Sequence, residues 1–346
     1  MTKKLLSAFT TALILLTSCG KDPLAPNKLV PATVDDDPSI PAIEVNGTRL
    51  HLETFGDSTN PVMIFLHGGP GTGDYRAFGR MLKEYDGYKL TDEYFVVMYD
   101  QRGAGLSRRY GKMGDALYYS VKELKLKHYL KDLEGIVDRF SPHRKIILFG
   151  HSWGGMHAIQ YVNEHPDKVA GVILSEPGSF NAEIENKLTL TIASTDLFDE
   201  ATNDLYWNHQ NISPDNHTML DYSYMNGFYN GMGPSYYHFS ETDLLPVFRF
   251  GAVASVNDLG KDGMTEDGVY TFDFTTNLHK FTTKVLFING DLNEVLTPEY
   301  QEQNRAYLPN SEMKIIKNVG HDLIWIKPGE HVKLIKEYLD EVLKNN

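Results

Sequence analysis

The 346-residue sequence predicts an α/β protein, a mostly parallel sheet with helices on both faces, interrupted by one long insertion. Three observations carry this expectation. Short apolar, β-prone runs at residues 62–66, 94–99, 146–149, 170–174, 284–288 and 313–317 alternate with segments whose apolar residues recur at helical spacing. Strands that alternate with helices need crossover connections, and these lay helices over both faces of a parallel sheet. The alternation stops between residues 179 and 281, a stretch rich in Tyr, Asn, Asp, Phe and Met, and then resumes.

At the start of the chain, Lys3 and Lys4 precede an apolar run too short to span a bilayer comfortably, followed by small residues. This is the pattern of a secretory signal over residues 1–18. Cys19, the single cysteine, follows Leu16-Thr17-Ser18, which resembles the lipobox of bacterial lipoproteins. The resemblance implies lipidation of Cys19 and a protein anchored in a bacterial cell envelope, facing periplasm or cell surface. An acylated Cys19 leaves no thiol for a disulfide. Residues 19–42 carry Pro23, Pro26, Pro31, Pro38, Pro41 and an acidic run from Asp35 to Asp37 without apolar periodicity, and read as an extended tether.

Asn46-Gly47 between two β-prone runs signals a two-residue hairpin at the start of the folded part. Residues 43–178 are expected to form the first part of the core, 179–281 a lid, and 282–346 the second part. Apolar residues make up 41% of the chain and charged residues 23%, an ordinary globular balance. A formal net charge of −13 with no Lys/Arg cluster excludes a nucleic-acid partner.

The most informative stretch is Lys145 to Gly155, K-I-I-L-F-G-H-S-W-G-G. A β-prone run ends in Gly150-His151-Ser152-Trp153-Gly154, and helical periodicity follows at once. G-x-S-x-G alone is loose enough to arise by chance, but the strand-turn-helix context is what a nucleophile turn requires. A serine there projects from the top of the sheet, and the Trp153 N–H opening the helix is a donor for an oxyanion.

His67-Gly68-Gly69-Pro70-Gly71, Asp100-Gln101-Arg102-Gly103-Ala104-Gly105-Leu106-Ser107 and the Ser152 motif, in that order, resemble the α/β-hydrolase fold and within it the proline iminopeptidase family. The likeness covers residues 43–176 and 284–343 and is poor across the lid. It implies acyl transfer through Ser152, with Gly69 supplying a second oxyanion N–H beside Trp153. It also implies His321, after the last strand and Gly320, as the base that makes the serine hydroxyl nucleophilic. His67 and His151 are read as packing and hydrogen-bonding neighbours.

The acid is read from Asn289-Gly290-Asp291-Leu292-Asn293-Glu294-Val295-Leu296-Thr297-Pro298. Set against the family's G-x-x-D-x-x-x-P, alignment on Gly290 places the acid at Asn293, whereas alignment on Pro298 places it at Glu294. Asp291, nearest the strand end, is the preferred acid, with Glu294 the alternative. Glu176, at a strand's C-terminal end, is a carboxylate for a substrate ammonium or for a structural salt bridge. Asp100 and Arg102 are expected to brace neighbouring turns. The lid aromatics Tyr206, Trp207, Tyr222, Tyr224, Tyr229, Tyr236 and Tyr237 suit a pocket lining or a lid core equally.

The expected function is hydrolysis of an amide or ester through an acyl-enzyme, with neither metal nor organic cofactor. By resemblance the substrate is a small peptide with a free N-terminus. The family's lid segment with amine-binding glutamates has only a loose echo at Phe248-Arg249-Phe250-Gly251-Ala252. An esterase or amidase acting on a small acyl substrate is therefore the enzymatic alternative, and a ligand-binding lipoprotein the non-catalytic one.

Overall fold

The structure is a computed structural model that describes residues 30–112, 120–188, 217, 218, 220, 221, 224, 247–257 and 262–344. Eight strands form its sheet: β1 (Ala42–Val45), β2 (Thr48–Phe55), β3 (Val62–Leu66), β4 (Phe95–Tyr99), β5 (Ile146–His151), β6 (Val169–Ser175), β7 (Val285–Gly290) and β8 (Ser311–Ile316). Their spatial order is β1-β2-β4-β3-β5-β6-β7-β8. β1 and β2 pair antiparallel, as do β2 and β4; every later pairing is parallel. The β1–β2 hairpin turns at Asn46 (φ 47°) and Gly47 (φ 70°), the positive-φ pair expected of an Asn-Gly turn.

Four longer helices cover the sheet: α1 (Leu126–Phe140), α2 (Trp153–Glu164), α3 (Pro298–Arg305) and α4 (Pro328–Lys344). The central strands are buried on both faces, so their alternate residues divide between two cores. On β3, Val62, Ile64 and Leu66 pack with Leu133, Ile136, Ile159 and Val162 of α1 and α2. Met63 and Phe65 face the other way, toward Phe78, Met81, Val332, Ile335 and Leu339. β5 divides likewise, Ile146 and Leu148 against Ile147 and Phe149.

The expected tether is shorter than its composition suggests. Val30, Thr33 and Val34 are buried, the Val34 N–H donates to the Leu106 carbonyl at 2.8 Å, and Arg49 donates to the Val34 carbonyl at 2.6 Å. The folded part therefore begins by residue 30 rather than 43, because two apolar side chains and free backbone groups suffice to dock a proline-bearing strap. Residues 1–29, with the signal segment and Cys19, lie outside the described residues.

The expected lid also narrows. Phe180, Phe272, Phe274, Leu278 and Phe281 belong to the main core. Residues 180–182 pair with 272–274 through Ala182 N–H to Phe272 O at 2.8 Å and Phe274 N–H to Phe180 O at 2.9 Å. The insertion thus leaves and re-enters at neighbouring points. Of the lid aromatics only Tyr224 is described, and its hydroxyl accepts from Ser255 Oγ at 3.0 Å; Tyr206, Trp207, Tyr222, Tyr229, Tyr236 and Tyr237 lie outside the described residues.

Asp221, within the insertion, is buried between two arginines. Its Oδ2 accepts from Arg109 Nε at 2.9 Å and Arg249 Nε at 2.7 Å, and its Oδ1 from the Ala252 N–H at 2.8 Å. Removing that carboxylate strands two buried guanidinium groups. Asp221→Ala is expected to cost about 3–5 kcal/mol, as breaking a buried pair does, read as a fall in unfolding free energy by urea titration; an unchanged midpoint and slope would show that the cluster is relieved by water.

Candidate active site

The site lies where the parallel strands end. Ser152 follows β5 and caps α2 with φ 55° and ψ −122°, a conformation strained for a residue with a Cβ. The turn closes this tightly because Gly154 has no side chain: a Cβ there would lie 1.9 Å from the Leu66 carbonyl oxygen. The Ser152 N–H still donates to the Ser175 carbonyl at 3.0 Å, so the nucleophile is held by the continuation of the sheet ladder. Trp153 is the first residue of α2, where a backbone N–H has no carbonyl one turn back to bond.

The loop after β3 crosses the nucleophile. A methyl group placed on Gly68, the residue before Gly69, would come 3.1 Å from Ser152 Cβ, so this loop runs against the serine. Gln101 ties this loop to the nucleophile turn. Its Nε2 donates to the His67 carbonyl at 2.7 Å, its Oε1 accepts from Trp153 Nε1 at 2.8 Å, and its backbone N–H donates to His67 Nε2 at 2.8 Å. With Nε2 an acceptor, His67 carries its proton on Nδ1 and donates to the Gly68 carbonyl at 2.7 Å. Burial pushes His67 below the ordinary histidine range, so it serves as a neutral brace.

His321 follows β8 and is 2% exposed. Its ring lies 4.5 Å from that of His151, centre to centre, which sets it next to the nucleophile turn. Its Nδ1 is 2.8 Å from Glu176 Oε2. Glu176, the first residue past β6, is fully buried and also has a positive φ of 43°. Its N–H donates to the Ile288 carbonyl at 3.0 Å, again continuing the ladder. Oε1 accepts from the Gly290 N–H at 2.8 Å, and Oε2 accepts from Asn293 Nδ2 at 2.9 Å as well as from His321. Burial pushes the Glu176 carboxyl upward, and the bonds from His321, Gly290 and Asn293 pull it back.

This corrects the assignment of the acid. Asp291 does not face His321. Its Oδ1 accepts from the Asn318 N–H at 2.7 Å and its Oδ2 lies 3.5 Å from Lys317 Nζ, so it closes the turn after β8 from the exposed side. Burial pushes its carboxyl upward, but the bonds from the Asn318 and Val319 backbone and the Lys317 ammonium together outweigh this and hold it below the ordinary carboxylate range. Glu294, the alternative, is exposed. The inward position in this loop belongs to the amide of Asn293. The same geometry corrects Glu176 as an ammonium ligand, since both oxygens are engaged by protein donors.

The other expectations fare variously. His151 is a packing neighbour, bonded through Nδ1 to Ser175 Oγ at 3.3 Å; burial first, then His321 and His331 nearby, hold it well below the ordinary range. Asp100 and Arg102 brace turns through separate partners: Asp100 accepts from His51 Nδ1 and from the Tyr75 and Leu106 N–H groups, while Arg102 grips Asp132 at 2.9 and 2.6 Å. Gln101 lies in the chain between the two motifs it joins, and that position is the signal the sequence carries for it.

A carboxylate on one imidazole nitrogen, a serine on a strained turn whose preceding residue, His151, lies against that imidazole, and a glycine loop against the serine form the kit for acyl transfer. Residues 61–328 match the alpha/beta hydrolase fold family, and the chain belongs to that family. It is a hydrolase that resembles proline iminopeptidases. A proline iminopeptidase of Pestalotiopsis fici is 26% identical over 325 residues, 86% of this chain and 99% of that protein. One from Lactobacillus helveticus is 26% identical over 288 residues, 82% of this chain and 91% of that protein. A thermophilic esterase from Thermogutta terrifontis shares the fold, with a TM-score of 0.54, 18% identity, and coverage of 87% of this chain and 99% of that one.

Gln101→Leu removes the side-chain tie between the glycine loop and the nucleophile turn without touching Ser152 or His321. It is expected to lower kcat about 10²-fold with little change in KM, the signature of support lost only in the transition state. A KM rise at constant kcat would place Gln101 in ground-state binding instead.

Proposed function

We propose that the protein cleaves amide or ester bonds through an acyl-enzyme on Ser152, with His321 as base and Glu176 as the acid that orients it. The 2.8 Å bond from His321 Nδ1 to Glu176 carries this reading. Glu176 holds the proton on Nδ1, which leaves Nε2 to take the Ser152 proton as the hydroxyl attacks a carbonyl carbon. The Trp153 and Gly69 N–H groups receive the oxyanion. His321 then protonates the leaving amine or alkoxide, and a water activated by the same nitrogen releases the acyl group. Glu176 remains ionised throughout and stabilises the imidazolium.

The substrate class we favour is a short peptide with a free N-terminus, as in proline iminopeptidases; matches of 26% identity over more than four fifths of the chain support it. One observation favours an esterase instead: Glu176, a carboxylate at the strand edge, is consumed by His321 and is not available to an ammonium. Chromogenic prolyl and other aminoacyl arylamides beside short-chain aryl esters decide between them. Turnover of aminoacyl substrates that is lost when their amine is acylated supports the peptidase; ester turnover alone supports the esterase.

Ser152→Ala is expected to abolish labelling by a fluorophosphonate with unfolding unchanged, and labelling that persists would move the nucleophile elsewhere. Glu176→Gln is expected to lower kcat by roughly 10⁴, the order seen when a triad acid is neutralised. Asp291→Asn and Glu294→Gln should each stay within a few-fold of the unaltered enzyme, and a large loss in either would restore the acid to the loop after β7. We propose further that Cys19 is lipidated, on the strength of Leu16 to Cys19; Cys19→Ser should shift the protein from the detergent to the aqueous phase on partitioning.

A further inference from the structure

The glycine-rich loop that runs against Ser152 is held at both ends by buried side chains. Gln101 holds its beginning through the His67 carbonyl, and Asp74, wholly buried, holds its far end to the insertion. Asp74 Oδ1 accepts from the Arg76 N–H at 3.0 Å and so caps the short helix Tyr75–Leu82. Its Oδ2 accepts from the Phe248 N–H and from the Arg249 N–H at 3.1 Å. Two of these three donors belong to the segment by which the insertion returns to the core. That segment is fastened at two further points: the Gly251 N–H donates to the Gly71 carbonyl at 2.7 Å, and Arg76 Nη1 donates to the Val247 carbonyl at 3.2 Å. The Phe248 ring meets the Tyr75 ring at 5.5 Å between centres, with the Arg76 guanidinium 5.2 Å over it.

We infer that Asp74 is a positioning residue for the oxyanion site, fixing the Gly69 N–H by fastening the glycine loop to residues 247–252. The inference rests on the reading of Ser152 as nucleophile and of Gly69 as an oxyanion donor. The path between them is short. Asp74 follows Gly73, where a methyl group would come 2.8 Å from the Gly68 carbonyl oxygen, and one on Gly68 would come 3.1 Å from Ser152 Cβ. A shift of Asp74 therefore reaches Gly68 and Gly69 through packed backbone, with no side chain between to absorb it. A catalytic donor must be held within about 0.5 Å of its productive place, so an anchor this near governs rate. The dependence on the insertion follows from burial. A carboxylate out of water needs donors, and here the chain just past the loop supplies one while the insertion supplies two. The returning segment of the insertion thus takes part in catalysis without touching the reacting atoms.

Three variants of the full chain test this: Asp74→Asn, Phe248→Ala and the two combined. Asparagine keeps the outline of aspartate but has one acceptor oxygen, so its NH₂ must face either the Arg76 N–H or the pair from Phe248 and Arg249. Phe248→Ala loosens the other side of the same junction by removing the ring that Tyr75 and Arg76 hold. Hydrolysis of p-nitrophenyl acetate gives kcat and KM, inhibition by phenylboronic acid reports the tetrahedral adduct on Ser152, and thermal unfolding checks the fold. Asp74→Asn should lower kcat about 100-fold with KM within about twofold, and should weaken phenylboronic acid by a similar factor. Phe248→Ala should show the same split at about tenfold, and the combined variant should fall no more than about twofold below Asp74→Asn, because both changes break one junction.

A folded Asp74→Asn with unchanged kcat, or one whose KM rises at constant kcat, overturns the inference; so do losses from the two single changes that multiply in the combined variant. Where Asp74→Asn does not fold, the kcat and KM of Phe248→Ala decide alone. If Ser152→Ala still turns over p-nitrophenyl acetate and is still labelled by a fluorophosphonate, the reading of Ser152 fails and this inference falls with it, an outcome distinct from a Ser152-dependent enzyme that is indifferent to Asp74.

Discussion

A carboxylate sealed from water must be surrounded by donors, and in this fold that requirement draws three strand ends together at Glu176. The residue continues β6; its donors are the Gly290 N–H at the end of β7, Asn293 in the loop beyond, and His321 after β8. Leaving such a group unpaired would cost several kcal/mol, so the convergence is enforced and not incidental. The sheet register prepares it, with Ser175 opposite Ile288 and Gly290 opposite Ile316. Gly290 completes it: a Cβ there would lie 2.2 Å from the Val319 carbonyl, so only glycine lets the chain leading to His321 come so close.

A second buried carboxylate organises the other side of the site. Asp100 gathers His51, Tyr75 and Leu106, and the Tyr75 bond fixes the end of the glycine-rich loop that crosses Ser152. Asp74, beside it, accepts from the Phe248 and Arg249 N–H groups, and the Gly251 N–H donates to the Gly71 carbonyl at 2.7 Å. Burial and the nearby Asp100 push the Asp74 carboxyl well above its ordinary range, offset in part by those N–H donors. The returning end of the insertion is thus bonded to the same loop that borders the nucleophile. Arg249 extends the connection to the Pro31 carbonyl at 2.9 Å, so the N-terminal strap, the insertion and the glycine loop share one anchorage.

What could be read in the sequence was what local rules determine. The Ser152 turn, the Asn46-Gly47 hairpin and the alternating strands and helices each depend on residues close together in the chain, and each forms as expected. His321 was legible because chain order and the end of a strand locate it. The acid was not, because its identity is decided by where side chains from β6, β7 and β8 meet. Asp291 and Asn293 are two residues apart, yet one faces Lys317 and the outside while the other faces Glu176. The one clue was negative: alignment on Gly290 put an asparagine where an acid was needed, which means that the carboxylate comes from elsewhere. The boundary at residue 43 failed for a related reason, since proline content describes chain stiffness and says nothing about what Val30 and Val34 can dock against.

Neighbouring parallel strands run about 4.8 Å apart, so the ends of β6 and β7 present side chains to almost the same point. His321 comes from beyond both, after β8, and needs an acceptor at one nitrogen without regard to the strand that supplies it. A glutamate at the end of β6, one methylene longer than aspartate, reaches that point, where it accepts from the Gly290 N–H of β7. Once it is there, the inward residue of the β7 loop must donate rather than accept, because two ionised carboxylates cannot share one desolvated site. The identities of residues 176 and 293 are therefore not independent: the fold sets the place of the acid, and electrostatics allows only one of the two strands to fill it.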